Sequence, residues 1–288
     1  MLLNKESKKG LLLAILGTVF FSTSPIFTRM VHDIPSQEIA FFRMFLGSLF
    51  IFITAKIYKT NLKLAKDDVL KFTAYGIITA LHFLFYIKSV MYTTIAHSLS
   101  LVYTAPIMIT LLSGIILKEK IPKKKYIGIF VVILGIIVLA GFEPLLTKKM
   151  ILGDVFALLS ALCLALYSLA GRRERDSYPL LKYVFWVYFI SAIFLFILSA
   201  KNFILPMNFN QWLPLILLGL LPTTLGHTLY NAGIRYIHPT YANLISTQEV
   251  TGGIILGIIL LKEIPSLNSI IGIIIMFLGL YSVLSDVK

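Results

Sequence analysis

Two ionisable side chains of opposite charge lie within apolar stretches of this 288-residue chain. Glu249 is the only one of the 13 acidic residues near the middle of an apolar stretch, and Arg43 is the only basic residue clearly within one. A carboxyl group in such surroundings can carry a proton or hold neighbouring helices by hydrogen bonds. A guanidinium can bind a carboxylate bidentately, pair with Glu249, or extend its head toward the membrane interface. We favour a structural role for each and keep both as candidate coupling or charge residues.

Two sets of polar side chains recur at matching places. They are Thr79, His82 and Tyr86, and Thr223, His227 and Tyr230. At spacings of three and four, each set lies along one face of a helix. If the two segments are inverted copies, both sets converge at the middle of the membrane, where a substrate site is expected. No cysteine or carboxylate accompanies the histidines at ligand spacing, so we expect no metal and no cofactor.

Further hydrogen-bonding groups accompany these sets. Tyr103, Asn231, Thr247 and Gln248 complete the predicted substrate-binding residues, together with His82, Tyr86, His227 and Tyr230. Each of them could equally join two helices. The polar run 22–25 interrupts the first apolar stretch and indicates a gate, because such an irregularity is tolerated only against a cavity or other protein.

The elements that position these residues are membrane helices. Hydrophobic residues make up 58% of the chain and charged residues only 14%, far below the roughly 25% of an average soluble domain. Stretches of about 20 apolar residues, enough to cross the hydrocarbon, occur ten times. We place the spans at 10–31, 38–56, 70–88, 96–117, 125–142, 151–171, 182–200, 212–232, 239–261 and 267–285.

The lysines and arginines orient these spans. With the N-terminus inside, 19 of the 26 fall on the inner side and 6 on the outer side. Cytoplasmic loops carry this excess, so we expect a multi-pass plasma-membrane protein with both termini in the cytoplasm. The net charge of +13 does not indicate nucleic-acid binding, because the lysines lie in short loops rather than on one basic face.

The two halves of the sequence are related to each other. The sequence ILKEKIP (116–122) returns as LLKEIP (260–265), and Glu119, Gly128 and Gly135 recur 144 residues later as Glu263, Gly272 and Gly279. Five spans per half is an odd number, so the second half enters from the opposite side. We predict an all-α integral membrane protein of ten transmembrane helices, built from two inverted five-helix repeats, 1–145 and 146–288.

These residues resemble the drug/metabolite transporter superfamily, specifically its ten-helix EamA-type members. The resemblance covers essentially the whole chain and rests on AFFRMFLGSLF around Arg43, on LVYTAPIMITLLSGIILKEKI in span four and on NLISTQEVTGGIILGIILLKEI in span nine. One departure concerns proline: span four has Pro106, whereas Val250 follows Glu249 where the family commonly has proline. Its absence argues against a mechanism in which both halves bend alike.

The resemblance implies an alternating-access carrier whose cavity is lined by spans one, three, four, six, eight and nine, with spans five and ten packed behind. We expect a secondary active transporter for a small polar, amino acid-like metabolite. We favour export over import. Multidrug or organic-cation efflux and nutrient import remain alternatives. The expected partners are a small-molecule substrate, the lipid bilayer and a candidate coupling proton; monomer and homodimer both stay open.

Two other functional classes are disfavoured. A membrane-embedded enzyme would need paired acids, a nucleophile beside a base, or a metal motif, and a sensor would normally add a soluble signalling domain. Neither pattern occurs in the sequence, and no GxxxxGK[ST] loop indicates an ATP-driven pump. We therefore expect no catalytic residues.

Overall fold

The protein is an all-α membrane protein. In the computed structural model the described residues are 5–119, 121–140, 147–262 and 267–284, and none of these forms a strand. The first half contains α1 (Lys5–Phe21), α2 (Ser24–Met30), α3 (Ser36–Ile57), α4 (Val69–Tyr92), α5 (Ile95–Val102), α6 (Ala105–Ile116) and α7 (Tyr126–Ala140). The second half contains α8 (Lys148–Arg173), α9 (Leu180–Ser199), α10 (Phe209–Leu218), α11 (Thr228–Gly233), α12 (Pro239–Ser246), α13 (Glu249–Leu256) and α14 (Leu267–Leu284).

The helices combine into the ten predicted spans. Within the described residues, eight helical segments are long and apolar enough to cross a membrane: Lys5–Met30, Ser36–Ile57, Lys66–Tyr92, Ser98–Ile116, Lys148–Arg173, Leu180–Asn202, Phe209–Gly233 and Pro239–Leu260. The apolar helices α7 and α14 are spans five and ten, and they pack on one another. Large apolar side chains such as Leu70, Ile115 and Ile127 cover the outside of the bundle, as contact with lipid requires. The predicted fold class is confirmed.

The packing repeats when the halves are exchanged. Span three (α4) packs on span six (α8), and its counterpart span eight packs on span one. The residues at these contacts correspond as well. A Cβ on Gly10 would lie 2.9 Å from Tyr236 Cβ, and one on Gly153 would lie 3.0 Å from Tyr92 Cβ. Both glycines and both tyrosines are repeat partners, and this reciprocity is what an inverted pair of repeats requires.

The repeated glycines bring spans five and ten into close contact. A Cβ on Gly128 would lie 3.0 Å from the Gly279 carbonyl oxygen, and one on Gly279 would lie 2.9 Å from the Gly128 carbonyl oxygen. Small residues allow this approach of two membrane helices. Glu263, the repeat partner of Glu119, lies outside the described residues.

Span nine breaks although it has no proline at the expected place. Span four is interrupted at Tyr103 and Thr104, and span nine at the repeat-related Thr247 and Gln248. At each break a threonine hydroxyl donates to the carbonyl three residues earlier, Thr104 to Leu101 and Thr247 to Leu244, both at 2.7 Å. Such bonds compete with the helical ladder and can bend a helix. Both halves are therefore interrupted at matching positions, and the missing proline after Glu249 does not prevent a break in span nine.

Span one also breaks where its polar run interrupts it. α1 ends at Phe21 and α2 begins at Ser24, with Pro25 in its first turn. The hydroxyls of Ser22 and Thr23 donate back to Thr18 and Phe20 carbonyls. Span eight differs again, since Gly219–His227 is π-helical, and such stretches often occur at functional sites.

Candidate functional site

A pocket at the centre of the bundle is enclosed by side chains from both halves. Its wall is formed by Phe21, Ser24, Arg43, His82, Phe83, Tyr86, Val102, Tyr103, Leu164, His227, Tyr230, Asn243, Ser246 and Glu249. Span two contributes to this wall through Arg43, in addition to the six spans implied by the family resemblance. The cavity has a volume of about 20 Å³, which admits a water molecule but not a metabolite. A metabolite would fit in this pocket only if the helices moved apart.

Glu249 lies at the first position of α13, directly after the break in span nine, and it is buried. The Tyr86 hydroxyl donates to its Oε1 at 2.8 Å, and the Tyr103 hydroxyl donates to its Oε2. Both phenols belong to the first half, whereas Glu249 belongs to the second. The carboxyl group therefore joins the two repeats and still has unused lone pairs on each oxygen.

Arg43 points into the bundle. Its side chain is 1% exposed, its Nε donates to Thr223 Oγ1 at 2.9 Å, and its Nη1 donates to Ser24 Oγ at 2.8 Å. The guanidinium lies 4.4 Å from the centroid of the Phe83 ring, a cation–π contact. The interpretation that Arg43 extends toward the interface is wrong, because these partners hold its head at the pocket wall.

Tyr86 contacts both ionisable groups. Its ring centroid is 5.7 Å from the Arg43 guanidinium carbon, and its hydroxyl reaches Glu249. Among the described residues, no ion pair within 4.0 Å joins Arg43 to Glu249. The pocket thus contains a guanidinium and a carboxyl group that both contact one tyrosine.

The two histidines meet at the centre, with ring centroids 6.2 Å apart. His82 Nδ1 lies 3.1 Å from the Ser160 carbonyl oxygen and 2.9 Å from Ser160 Oγ. A carbonyl oxygen only accepts, so we assign the proton to Nδ1, which leaves Nε2 of His82 as an acceptor. His227 packs against Phe21 at 4.4 Å and Phe83 at 4.8 Å between ring centroids.

The repeat partner of Tyr86 makes different contacts. Tyr230 donates to Ser168 Oγ at 2.8 Å and accepts from Asn243 Nδ2 at 3.3 Å. Asn231 lies behind the wall, where its Nδ2 donates to the His227 carbonyl at 2.7 Å and to the Tyr167 hydroxyl. The two tyrosines are thus related by sequence but differ in their hydrogen-bond partners.

Not every predicted site residue reaches the pocket. The structure brings together His82, Tyr86, Tyr103, His227, Tyr230, Arg43 and Glu249. Asn231, Thr247 and Gln248 lie outside its wall; Gln248 accepts from the Thr251 hydroxyl at 2.9 Å. Sequence reasoning missed Phe21, Phe83 and Ser160 because apolar rings and a serine in an apolar span give no distinctive signal. For Phe21 and Phe83, the spacing of three residues from Ser24 and Tyr86 was the available clue.

Charged residues close one end of the bundle, which we call the inner end. Glu119 at the end of span four pairs with Arg172 at 3.3 Å and with Arg175 at 3.2 Å. Arg172 Nη1 also donates to the carbonyls of Ile234 and Arg235, at 3.0 and 2.8 Å. These bonds tie span four to span six and to the connection between spans eight and nine.

A second group of bonds continues this closure across span three. Glu174 accepts from Tyr75 at 2.7 Å and from Lys71 at 3.5 Å. Lys71 also donates to Tyr178 at 2.6 Å, and Tyr178 donates to Asp68 at 2.5 Å. We call these residues and the Glu119 pairs together the inner cluster.

His238 lies just before span nine and caps α12. Its Nδ1 accepts from the Thr240 backbone N–H at 3.2 Å. Burial lowers the pKa of His238 to about 4, with Glu119 opposing and Arg172 reinforcing the shift. Neutral histidine is the form that can accept this bond.

The family follows from comparison with known proteins. The EamA-like transporter family matches the sequence twice, over residues 8–141 and 151–285. The chain belongs to this family. Each match covers one five-helix half, and the central pocket of this EamA-like protein lies between the two matched regions.

Two bacterial transporters illustrate the similarity. The uncharacterized transporter YxxF of Bacillus subtilis (strain 168) is 23% identical over 282 residues, covering 96% of this chain and 90% of the relative. The pseudopaline exporter CntI of Pseudomonas aeruginosa is 26% identical over 213 residues, or 74% of each chain. A crystal structure with 17% sequence identity superposes with a TM-score of 0.80, covering 96% of this chain and 97% of the other. This last likeness supports the fold of the EamA-like protein.

Proposed function

We propose that this EamA-like transporter is a secondary active carrier that exports a small polar, amino acid-like metabolite by alternating access to the central pocket. The observation that carries the proposal is the burial of Arg43 and Glu249 in one pocket between the repeats. Buried ionisable groups in a membrane protein are costly and mark solute or ion pathways. Both groups line the same pocket, so one solute could engage both.

The two charges suit a zwitterion. Among the bonds of the described residues, Arg43 uses Nε and Nη1, so its Nη2 is available to a carboxylate. Each Glu249 oxygen accepts one phenol hydrogen bond, so lone pairs are available to an ammonium group. The acceptor Nε2 of His82 would add recognition of a further N–H or O–H group of the solute.

Alternating access is supported by where the helices break. Spans one, four and nine are interrupted beside the pocket, at Ser22, Tyr103 and Thr247. Half-helices that meet at the middle of the membrane are a common way for carriers to form a site and to move around it. The inner cluster would then be the set of bonds that opens when the pocket faces inward.

Export is the direction we favour. A relative that covers three quarters of the chain is named as an exporter, and the excess of lysine and arginine on the inner loops supports a plasma-membrane protein with cytoplasmic termini. Glu249 is the candidate for a coupling proton, because a carboxyl group in this pocket can exchange a proton as solute enters and leaves.

The experiment has two stages. A thermal-shift screen of the purified protein against amino acids, amino acid-derived zwitterions, organic cations and dicarboxylates identifies binders, since a ligand of the native state raises the unfolding temperature. Flux of the binders into proteoliposomes, with and without a pH gradient, then tests transport and coupling. We expect zwitterions to bind and to move. Absence of flux for every binder in a folded preparation would contradict a carrier function, and a preference for organic cations would favour the efflux alternative.

A further inference from the structure

A groove opens on the outside of the bundle between spans four and five. The two halves of span four have different neighbours: α5, before the break, packs on α7, whereas α6, after the break, packs mainly on α8 and α12. The break therefore turns α6 away from α7 toward the inner end, and a space remains between these two helices.

The groove is apolar along α6 and has a lysine at its inner end. It is lined by Thr110, Leu111, Gly114, Ile121, Lys123 and Tyr126. From Thr110 to the end of α6 at Ile116 it follows the helix for about 9 Å. Its volume is about 600 Å³, within the range of about 300–1,000 Å³ that is usual for ligand sites. An elongated apolar slot of this size suits an acyl chain.

Gly114 leaves the floor of the groove bare. Nothing lies within 4 Å of a Cβ added to Gly114. Leu111, one turn earlier, is 67% exposed, and the adjacent Ile115 is 77% exposed. Among the described residues no side chain covers this part of α6, so the hydrocarbon of the membrane covers it.

The lysine end of the groove is held in place by Lys125. This side chain is buried, and its Nζ donates to the Val283 carbonyl at 2.7 Å, which ties the turn 123–125 to span ten. Lys123, two residues earlier, is exposed at the mouth of the groove. Tyr126 lies beside it and is 47% exposed, and such amphipathic rings commonly lie at the level of lipid headgroups.

The acid at the end of span four does not cancel the charge of this mouth. Glu119 pairs with both Arg172 and Arg175, so one carboxylate faces two guanidinium groups. Lys118, directly before Glu119, is exposed. The mouth of the groove is therefore positively charged, and basic pockets between membrane helices suit anionic lipid headgroups.

We propose that this groove binds one anionic phospholipid from the leaflet at the inner end, with an acyl chain along Leu111 and Gly114 and the phosphate against Lys123. The apolar floor and the lysine are arranged in the order of the tail and headgroup of a lipid. The site lies on the outside of the bundle, apart from the central pocket, and its occupant is not the transported solute.

A neutral lipid and a second copy of the chain are the competing occupants. A neutral lipid would fill the apolar slot but would gain little from Lys123. In a two-fold dimer built on this groove, the two Lys123 side chains would lie on facing surfaces, and like charges oppose such a contact. The lysine at the mouth therefore favours an anionic lipid.

Native mass spectrometry of the full-length protein tests the headgroup. The protein is titrated in detergent with phosphatidylglycerol or with phosphatidylcholine of the same acyl chains, and bound lipids are counted. We expect the first phosphatidylglycerol to bind about fivefold more tightly than the first phosphatidylcholine. Lys123→Glu should remove most of this preference. Lys63→Glu is the matched control, because it makes the same charge change at an exposed lysine of another inner loop.

Gly114→Leu tests the acyl chain. The new side chain enters the open slot and should weaken binding of the first phosphatidylglycerol several-fold. Ala74→Leu adds the same bulk at an exposed position of α4 and should leave binding unchanged. Unfolding temperatures check that both variants fold, and Lys123→Glu keeps the test independent of the core because it changes only an exposed side chain.

Three results would overturn the proposal. They are equal binding of the two lipids by the wild-type protein, a preference unchanged in Lys123→Glu, and a dimer that Gly114→Leu dissociates, which would assign the groove to a second copy. Each would leave the proposed carrier function intact, since no transported solute enters the measurement.

Discussion

The hydroxyl of Tyr86 lies 2.8 Å from Oε1 of Glu249, so the first repeat and the second are joined by a hydrogen bond inside the central pocket. Tyr103, also from the first repeat, donates to the other carboxylate oxygen. The Tyr86 ring at the same time faces the Arg43 guanidinium. A change in the charge or position of Glu249 therefore acts on the contact between the repeats, and that contact must change when a carrier alternates.

Glu249→Gln should lower solute flux about tenfold or more, with the protein still folded. The amide keeps one acceptor but places an NH₂ group against a phenol donor, which costs about 1–3 kcal/mol. Flux into proteoliposomes with and without a pH gradient measures the effect. Loss of the gradient dependence with residual flux would assign the coupling proton to Glu249.

Glu38→Gln is the matched control for this change. Glu38 is also buried, at 1% exposure, but it lies in the first turn of α3 and not on the pocket wall. Its variant should keep wild-type flux and gradient dependence. Wild-type flux in Glu249→Gln would make Glu249 a structural residue.

Replacing both central histidines should weaken solute binding strongly. The double variant His82→Gln, His227→Gln changes two rings that lie 6.2 Å apart on the pocket wall. Replacing Lys148 and Lys149 with glutamine removes two charges at the start of α8 and should leave affinity unchanged. Titration of a binder by thermal shift compares the two pairs, and equal effects would count against the central site.

The sequence was sufficient to predict the helices and the inverted repeat. The 144-residue offset marks repeat partners, and Gly128 and Gly279 meet as inverted halves require. Polar residues rare within apolar spans, such as Glu249 and His82, were correctly expected to be buried, because lipid exposure of such groups is costly.

The direction of individual side chains could not be predicted. Arg43 is near enough to a helix end to reach the interface, and only the presence of Ser24 and Thr223 beside it, from two other spans, holds it inward. Likewise, at the break in span nine the Thr247 hydroxyl bonds to the Leu244 carbonyl. Helix propensity does not fix such a choice in advance.

Arg43→Lys should weaken binding of carboxylate-containing solutes about tenfold or more, although the charge is kept. A lysine ammonium has no planar fork, so it cannot bond to Thr223 and Ser24 and still offer a bidentate site. Measuring the affinity of a zwitterion and that of its amide separates a loss of carboxylate binding from a loss of packing. An equal loss for both solutes would show that Arg43 acts through packing against Phe83 rather than on the carboxylate.

Stability should depend on pH through His238. Its folded-state pKa of about 4 lies below the ordinary 6.5, so the unfolded chain takes up the proton first as the pH falls. The free energy of unfolding should therefore decrease from about pH 6.5 to about pH 4. His238→Asn keeps a capping acceptor and does not titrate, so the decrease in unfolding temperature should be smaller in this variant. An identical pH profile would exclude His238 as the source.

Glu119→Gln should increase the fraction of molecules whose inner end is open. The change removes the charge that holds Arg172 and Arg175, at 3.3 and 3.2 Å, and so weakens the bonds between spans four and six. Ser246 on the pocket wall reports this opening when it is replaced with cysteine in a Cys163→Ala background. Its rate of modification by a water-soluble thiol reagent should rise several-fold when the reagent is on the inner side.

Asp67→Asn, which changes an exposed acid near the same end, is the control and should leave the rate unchanged. Because the pocket opens to one side at a time in alternating access, labelling from the outer side should fall in parallel. A rise on both sides would instead indicate a loosened bundle.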